Sequence, residues 1–204
     1  MDNNNDLILN LAAWSKEGTE VLGPGKRLAI WTQGCLKKCP GCISPEFQPL
    51  KLAQKVDGKA LATYICTKKG FTGITISGGE PFLQAANLAK LIHLIREENN
   101  EFTVIVFTGF YHRELNWKEA EDLLKVTDLL IDGPYLQEQI CNKGLRGSTN
   151  QQFHFLTNRL IPFYEEIVNG KRKREIQYQG SAVFPIGIPS HLEVFGDLFE
   201  NLSI

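Results

Sequence analysis

The sequence lacks both a strong net charge and a long apolar run. Its formal net charge is −1 over 204 residues, so no overall field attracts nucleic acid or an acidic membrane surface. None of its apolar runs approaches the ~20 residues that a membrane-spanning helix needs. Hydrophobic residues still make up 43% of the chain, enough for a packed core. We therefore predict one globular domain, or one domain with an appendage, that binds neither nucleic acid nor membrane.

The first residues of the chain do not predict a secretory leader. The sequence begins MDNNNDLILNLAAW, which is acidic and polar where a signal peptide is basic and then apolar. We expect a cytoplasmic location, where thiols stay reduced. The five cysteines then favour metal binding or catalysis over a disulfide framework.

A cluster of three cysteines lacks a fourth member. Cys35, Cys39 and Cys42 lie within eight residues, in the stretch TQGCLKKCPGCISPEF, and all four histidines lie more than 50 residues after Cys42. A structural zinc site takes four protein ligands, and an iron–sulfur cubane usually takes four cysteines. Three thiolates on a cubane would leave one iron open to a substrate or cofactor, which indicates chemistry. A zinc loop with a distant fourth ligand and an incidental group of thiols remain alternatives.

Apolar runs alternate with helical patterns after residue 25. The runs are nearly continuous, as buried parallel strands are, and they predict strands at 27–34, 73–81, 102–110 and 127–135. Helical periodicity predicts helices at 57–70, 85–99 and 115–126, the third with Asn116 as its N-cap. Alternating strands and helices predict an α/β fold with a parallel sheet. Four units are too few to close an eight-stranded barrel, so we expect an open, partial β/α barrel.

The chain divides into three parts on this pattern. We predict an N-terminal segment at residues 1–26, the α/β core at 27–158, and a short C-terminal extension at 159–204. Within the extension, the Asn-Gly pair at 169–170 predicts the turn of a β-hairpin. Residues 190–204 are predicted to form a terminal helix.

Two motifs carry a resemblance to a known family. CLKKCPGC at residues 35–42 is a C-x3-C-x2-C motif after the first predicted strand, and GGEP at 78–81 ends the second. In this order they resemble the radical S-adenosylmethionine (radical SAM) superfamily. Further along, VFTGF, DLLIDGPY and LRGSTNQ resemble the activating proteins of anaerobic ribonucleotide reductase. The similarity covers residues 27–155, and the tail is longer than in those compact activators.

The resemblance implies a cofactor set and a reaction. Three thiolates would hold a [4Fe-4S] cluster, whose free iron takes S-adenosylmethionine. One electron, from a donor such as flavodoxin or ferredoxin, would cleave S-adenosylmethionine to methionine and a 5′-deoxyadenosyl radical. That radical would abstract hydrogen from a glycine of a partner glycyl-radical enzyme. The alternatives are a radical SAM maturase acting on a peptide or small molecule, and a non-catalytic metal-binding protein.

Nine positions are predicted to bind the cofactor. They are Gly41, Ile43, Gly78, Gly79, Glu80, Thr108, Asp132, Ser148 and Asn150. Glycines at 78 and 79 would let the backbone approach the cofactor without a Cβ in the way. Glu80 would lie beside the methionine ammonium or cap nearby backbone. The alternative for GGEP is an ordinary strand-to-helix turn, with Pro81 as the first helical residue.

Some of the other predicted positions also have an explanation that needs no cofactor. The backbone of Gly41 and Ile43 would touch the adenine, and Thr108 and Gly109 would line the cavity. Asp132 would bind ribose hydroxyls or would only terminate a turn. Residues 148–150 would bind the cofactor or the partner, or would form an Asx-type turn.

Some residues with chemical potential receive no site role. Cys66 and Cys141 lack a second cysteine at ligand spacing, so they are predicted to be buried or incidental, and no second cluster is expected. The basic run KRKR at 171–174 is predicted to be solvated, with docking of an acidic partner as the alternative. The scattered histidines are assigned no function.

Overall fold

The computed structural model describes residues 6–179 and 182–189. Its strands are β1 Ile8–Trp14, β2 Arg27–Thr32, β3 Gln54–Asp57, β4 Gly73–Gly78, β5 Thr103–Phe107, β6 Leu129–Asp132, β7 Gln152–Phe155, β8 Arg174–Gln179 and β9 Ala182–Gly187. Its α-helices are α1 Gly58–Thr67, α2 Ala85–Glu98, α3 Lys118–Lys125 and α4 Tyr164–Asn169. The predicted terminal helix at 190–204 lies outside the described residues.

Seven strands form one open sheet in the order β3-β1-β2-β4-β5-β6-β7. The four central strands, β2, β4, β5 and β6, are parallel and are the four predicted from the sequence. The α/β class and the unclosed sheet are therefore confirmed. The predicted parallel sheet is present at the centre, and β1, β3 and β7 join its edges in antiparallel pairings that the sequence did not indicate. One of these strands, β1, lies in the predicted N-terminal segment.

Three of the four central strands, β2, β5 and β6, present alternate side chains to two separate cores. Leu28, Ile76 and Val106 point toward α1, α2 and α3, which form one layer against the sheet. Ala29 and Ile105 point the other way and pack against the chain that follows β7. Because the crossover helices lie on one face, the tail is left to cover the other. No helix among the described residues is long and apolar enough to cross a membrane.

A buried arginine lies at the start of β2, on the face of the sheet that the chain after β7 covers. Arg27 is 0% exposed, and its guanidinium donates to Thr75 Oγ1 at 2.8 Å, Thr103 Oγ1 at 2.8 Å and the Ile74 carbonyl at 2.7 Å. Burial lowers the pKa of Arg27 to about 9, and the charge of Asp128 opposes that fall. These neutral acceptors satisfy the guanidinium, which makes no ion pair with a carboxylate of the residues that the structure describes.

The C-terminal extension differs from the prediction in two places. Residues 164–169 form α4, with Ile167 buried, so the Asn-Gly pair ends a helix and the predicted hairpin turn there was wrong. The hairpin lies further on, where β8 pairs with β9. It packs on the sheet through Phe184, whose ring meets that of Trp31 edge-to-face at 5.1 Å.

One further local prediction was also wrong. Helix α3 has Trp117 rather than Asn116 at its N-cap, because the Asn116 N–H bonds the Glu114 carbonyl at 3.0 Å in the preceding turn. The basic run at 171–174 is exposed at Lys171, Lys173 and Arg174, as predicted. Arg172 differs: it is partly buried and donates to the Pro189 carbonyl at 2.6 Å, among other backbone acceptors, and so holds the tail in place.

Candidate functional site

The three clustered cysteines lie on one loop at the carboxyl end of β2. Backbone hydrogen bonds close the base of this cysteine loop: Gly34 N–H donates to the Phe47 carbonyl at 2.8 Å, and Cys35 N–H to the Gln48 carbonyl at 2.9 Å. The carboxyl ends of parallel strands are where α/β proteins build their sites. The loop is therefore held at the edge of the sheet that the sequence indicated.

Each of the three thiols is free and partly exposed. Cys39 and Cys42 are joined by a tight turn, in which Cys42 N–H donates to the Cys39 carbonyl at 3.2 Å. Gly41 takes φ +67° within that turn, a conformation in which glycine is favoured. Burial raises the pKa of the Cys35 and Cys39 thiols, so these groups are protonated until a metal displaces the protons.

The thiols do not converge on a single point. Among the described residues, no three cysteine, histidine or carboxylate side chains are grouped as ligands of one metal ion. A cubane differs from a single ion because each thiolate binds a different iron, so its ligands surround a volume. Three separated thiols on one loop fit that requirement.

The GGEP turn abuts the base of the cysteine loop. Gly79 N–H donates to the Thr32 carbonyl at 2.8 Å, and Glu80 N–H donates to the Gly34 carbonyl at 2.7 Å. A Cβ built at Gly79 would collide with the Gly34 carbonyl and would lie 2.8 Å from the Phe47 carbonyl. The second glycine is thus required by the close approach of two protein backbones. The sequence had suggested only the cofactor as the reason.

Glu80 connects the end of β4 to the end of β5. It is 1% exposed, and its Oε1 accepts from Thr108 Oγ1 at 2.8 Å while its Oε2 accepts from Gly109 N–H at 2.8 Å. Its Oε1 also caps the turn that begins at Pro81, by accepting from Phe82 N–H at 3.1 Å. The predicted capping role and the position of Pro81 are both present. Burial raises the pKa of Glu80 to about 6 against the effect of these donors.

Asp132 ends β6 and faces the helix layer rather than the tail side. Its Oδ2 accepts from His112 N–H at 2.6 Å, and its Oδ1 accepts from Gln152 N–H at 3.3 Å. His154 Nε2 lies 3.0 Å from Oδ2, at ion-pair distance but without a well-directed hydrogen bond. These contacts account for a buried carboxylate without a ligand, and ribose binding by Asp132 stays a prediction.

The polar loop at 146–151 lies against the segment that follows β6. Ser148 is 0% exposed, and its Oγ accepts from Leu136 N–H at 3.1 Å. Asn150 Nδ2 donates to the Pro134 carbonyl at 2.8 Å, whereas Asn150 Oδ1 is buried and has no partner among the described residues. An unpaired buried acceptor is costly, so Asn150 Oδ1 is a place for a hydrogen-bond donor of a ligand.

The segment after β6 also touches the cysteine loop. The Tyr135 backbone is within hydrogen-bonding reach of the Cys39 thiol, and the Gln137 side chain occupies the space that a Cβ at Gly41 would need. Ile43 is 37% exposed beside them. Sequence reasoning missed Tyr135 and Gln137, because nothing in their spacing connects them with residues almost 100 positions earlier.

Two groups of predicted residues are thus brought together. Gly78, Gly79, Glu80 and Thr108 form one hydrogen-bonded unit with the base of the cysteine loop. Ser148 and Asn150 form a second unit with residues 133–137, which meets the far side of the same loop. The predicted positions in these two groups therefore flank the three thiols on both sides.

Comparison with known proteins agrees with this arrangement. A family model described as a 4Fe-4S single cluster domain matches residues 21–154. An anaerobic ribonucleoside-triphosphate reductase-activating protein of Vibrio cholerae is 32% identical over 146 residues, which are 67% of this chain and 92% of that protein. Its counterpart in Escherichia coli strain K12 is 31% identical over 145 residues, with the same two shares. A pyruvate formate-lyase-activating enzyme of Listeria monocytogenes is 32% identical over 117 residues, 54% of this chain and 47% of that enzyme.

The class of protein follows from the match and the site together. This is an enzyme of the radical SAM activating type, with a [4Fe-4S] cluster and S-adenosylmethionine as its cofactors. The chain belongs to the 4Fe-4S single cluster domain family, together with the anaerobic ribonucleoside-triphosphate reductase-activating proteins. The resemblance that the two motifs carried is confirmed, and so are the cofactors that it implied.

Proposed function

We propose that this chain activates an anaerobic ribonucleoside-triphosphate reductase by generating a glycyl radical on it. Relatives that share the core are named for activating that reductase. In this proposal Cys35, Cys39 and Cys42 bind the [4Fe-4S] cluster on a partial-barrel core of the radical SAM type, at residues 27–158. The bound cluster supplies the electron that cleaves S-adenosylmethionine to methionine and a 5′-deoxyadenosyl radical.

The observation that supports the ligand assignment is the position of the cysteine loop. Three partly exposed thiols lie on one loop, and the 2.7 Å hydrogen bond from Glu80 N–H to the Gly34 carbonyl fixes its base against GGEP. Backbone hydrogen bonds of the protein itself therefore hold the loop and the turn in contact. Fixing reacting groups in contact is the proximity effect, worth ~7–11 kcal/mol in favourable cases.

The residues around the thiols take separate roles in this proposal. Asn150 Oδ1 accepts a hydrogen bond from S-adenosylmethionine, and buried Ser148 holds the segment after β6 in place for it. Glu80 keeps the ends of β4 and β5 in register, so that the Gly78 carbonyl faces the cofactor. The exposed backbone of Gly41 and Ile43 contacts the adenine. The remaining predicted contacts are made by Gly79, Thr108 and Asp132.

The reaction also requires an electron donor and a reducing compartment. We propose a flavodoxin or ferredoxin as the donor and the cytoplasm as the location. Five free cysteines support a reducing location, because a partly exposed thiol group would oxidise elsewhere.

Anaerobic reconstitution tests the proposal. The protein should take up about four irons per chain, as one cubane requires. When reduced, it should release methionine and 5′-deoxyadenosine from S-adenosylmethionine. With the reductase added, electron paramagnetic resonance should detect a glycyl radical. Cleavage without a radical on the reductase would point to another substrate, and a colourless zinc protein would refute the function altogether.

Cysteine variants test the ligand assignment. Cys39→Ala should lose both the cluster and the cleavage activity. Cys66→Ala should keep both, because Cys66 is an exposed thiol on α1 that touches no part of the cysteine loop. Full cleavage by Cys39→Ala would show that the ligands are wrongly assigned.

A further inference from the structure

The Lys37 side chain of the cysteine loop reaches across the site to the segment after β5. It lies between Cys35 and Cys39, and its backbone N–H donates to Cys35 Sγ at 3.4 Å. Its Nζ lies 3.8 Å from the centre of the Phe110 ring and 3.5 Å from Glu114 Oε2. The side chain is 25% exposed, so protein contacts rather than water surround most of the charged lysine. It thus joins the loop to the segment after β5.

The residues that contact Lys37, Phe110 and Glu114, are themselves held in place. The Phe110 ring packs on the Trp117 ring at 5.6 Å in an edge-on arrangement. A Cβ at Gly109 would lie 2.9 Å from Lys37 Cγ, so only glycine admits the lysine stem at that position. Glu114 Oε2 also accepts from Tyr111 N–H at 2.7 Å, which orients the carboxylate. A cation over an aromatic face, paired with an oriented carboxylate, is a defined geometry.

The charge of Lys37 also reaches the GGEP turn. The Lys37 stem runs beside Gly109, whose N–H donates to Glu80 Oε2 at 2.8 Å. Burial raises the pKa of Glu80, and the positive charge of Lys37 opposes that rise. Lys37 therefore connects the cysteine loop with the residues that surround Glu80.

We propose that Lys37 is a positioning residue for the cluster: it clamps the cysteine loop onto the end of β5 and holds a fixed positive charge beside the thiolates. Reduction adds one negative charge to the cluster, and a fixed cation favours that state. This inference rests on the proposed function, because it places the cluster at Cys35, Cys39 and Cys42. It goes further by assigning a role to a residue that neither motif requires.

Redox titration of the reconstituted cluster tests the role. At a fixed potential, Lys37→Met should lower the ratio of reduced to oxidised cluster roughly fivefold, since it removes one charge that Glu114 partly offsets. Lys37→Arg should keep the wild-type ratio, because it keeps the charge. Glu114→Gln should raise the ratio. Lys38→Met is the matched control: it removes the neighbouring, exposed lysine and should change the ratio little.

Unfolding of the cluster-free protein separates this role from a structural one. The unfolding midpoint of Lys37→Met should stay close to that of the wild type, because a partly exposed ion pair contributes little stability. An unshifted ratio in Lys37→Met, or equal shifts in Lys37→Met and Lys38→Met, would overturn the inference. If wild-type protein takes up no cluster, the proposed function fails instead, so the two failures are distinguishable.

Discussion

Glu80 should make the cluster-free protein more stable as the pH falls from about 6 to 4.5. Its pKa is raised from 4.5 to about 6 in the folded protein by burial. The folded state therefore binds the Glu80 proton more tightly than the unfolded chain does. Stability from this group is full below pH 4.5 and is lost as the pH rises through 6. At 1.36 kcal/mol per pKa unit, the rise corresponds to about 2 kcal/mol.

Comparison with Glu80→Gln isolates this contribution. The amide has nearly the same shape but does not titrate, so the pH dependence of other groups cancels in the difference between the two proteins. Urea unfolding at several pH values between 4 and 7 gives the free energy of unfolding of each. We expect the wild type to gain about 2 kcal/mol relative to the variant on going from pH 7 to pH 4. A difference that is constant, or that falls on acidification, would refute the burial argument for Glu80.

Two other substitutions test close packing and burial. Gly79→Ala should destabilise the protein by about 2–3 kcal/mol, because the new Cβ meets the Gly34 backbone, which cannot move away as a side chain would. In Gly70→Ala nothing lies within 4 Å of the new Cβ, and only the strain at φ +102° remains, so thermal unfolding should show a loss of about 1 kcal/mol. Equal losses of stability in Gly79→Ala and Gly70→Ala would contradict the packing argument. Arg27→Met should cost about 3 kcal/mol in urea unfolding, since it leaves buried acceptors unpaired, whereas Lys26→Met should stay within 0.5 kcal/mol, the range of ordinary surface changes. A neutral Arg27→Met would show that the buried hydrogen bonds add nothing.

The central strands could be predicted because their residues are apolar on both faces. Each of the four predicted runs contains the observed strand, and the excess lies at the ends, where the chain leaves the sheet. The edge strands gave no such signal. β3 has the sequence QKVD and is mostly exposed, and β7 has only four residues. Their pairing depends on neighbours distant in sequence, which a local pattern does not reveal.

The site was predictable in its residues but not in its contacts. The spacing of Cys35, Cys39 and Cys42 is local, so the sequence alone identified the loop. The requirement for glycine at position 79 is not visible in the local sequence. A Cβ there would collide with the carbonyl of Gly34, which lies 45 positions earlier. Lys37 gave no signal at all, since its partners come from the segment after β5.

The Asn-Gly pair shows how one signal serves two structures. Such a pair favours the tight turn of a hairpin, and glycine also commonly follows the end of a helix. Here Gly170 follows α4, whose Glu165 and Glu166 lie in the first turn, where the helix dipole favours acidic residues. The buried side chain of Ile167 decides between the two, and its burial depends on the tertiary fold.

The C-terminal tail limits how far this chain can be shortened. The family model stops at residue 154, yet Leu160, Ile167, Ile186 and Ile188 are buried in the second core. A protein trimmed to its matched portion would lose these four side chains and would expose Ala29, Ile105, Leu129 and Ile131 of the same core to water. Such a fragment should self-associate, so in this chain the segment after residue 154 is a condition of solubility for the matched portion.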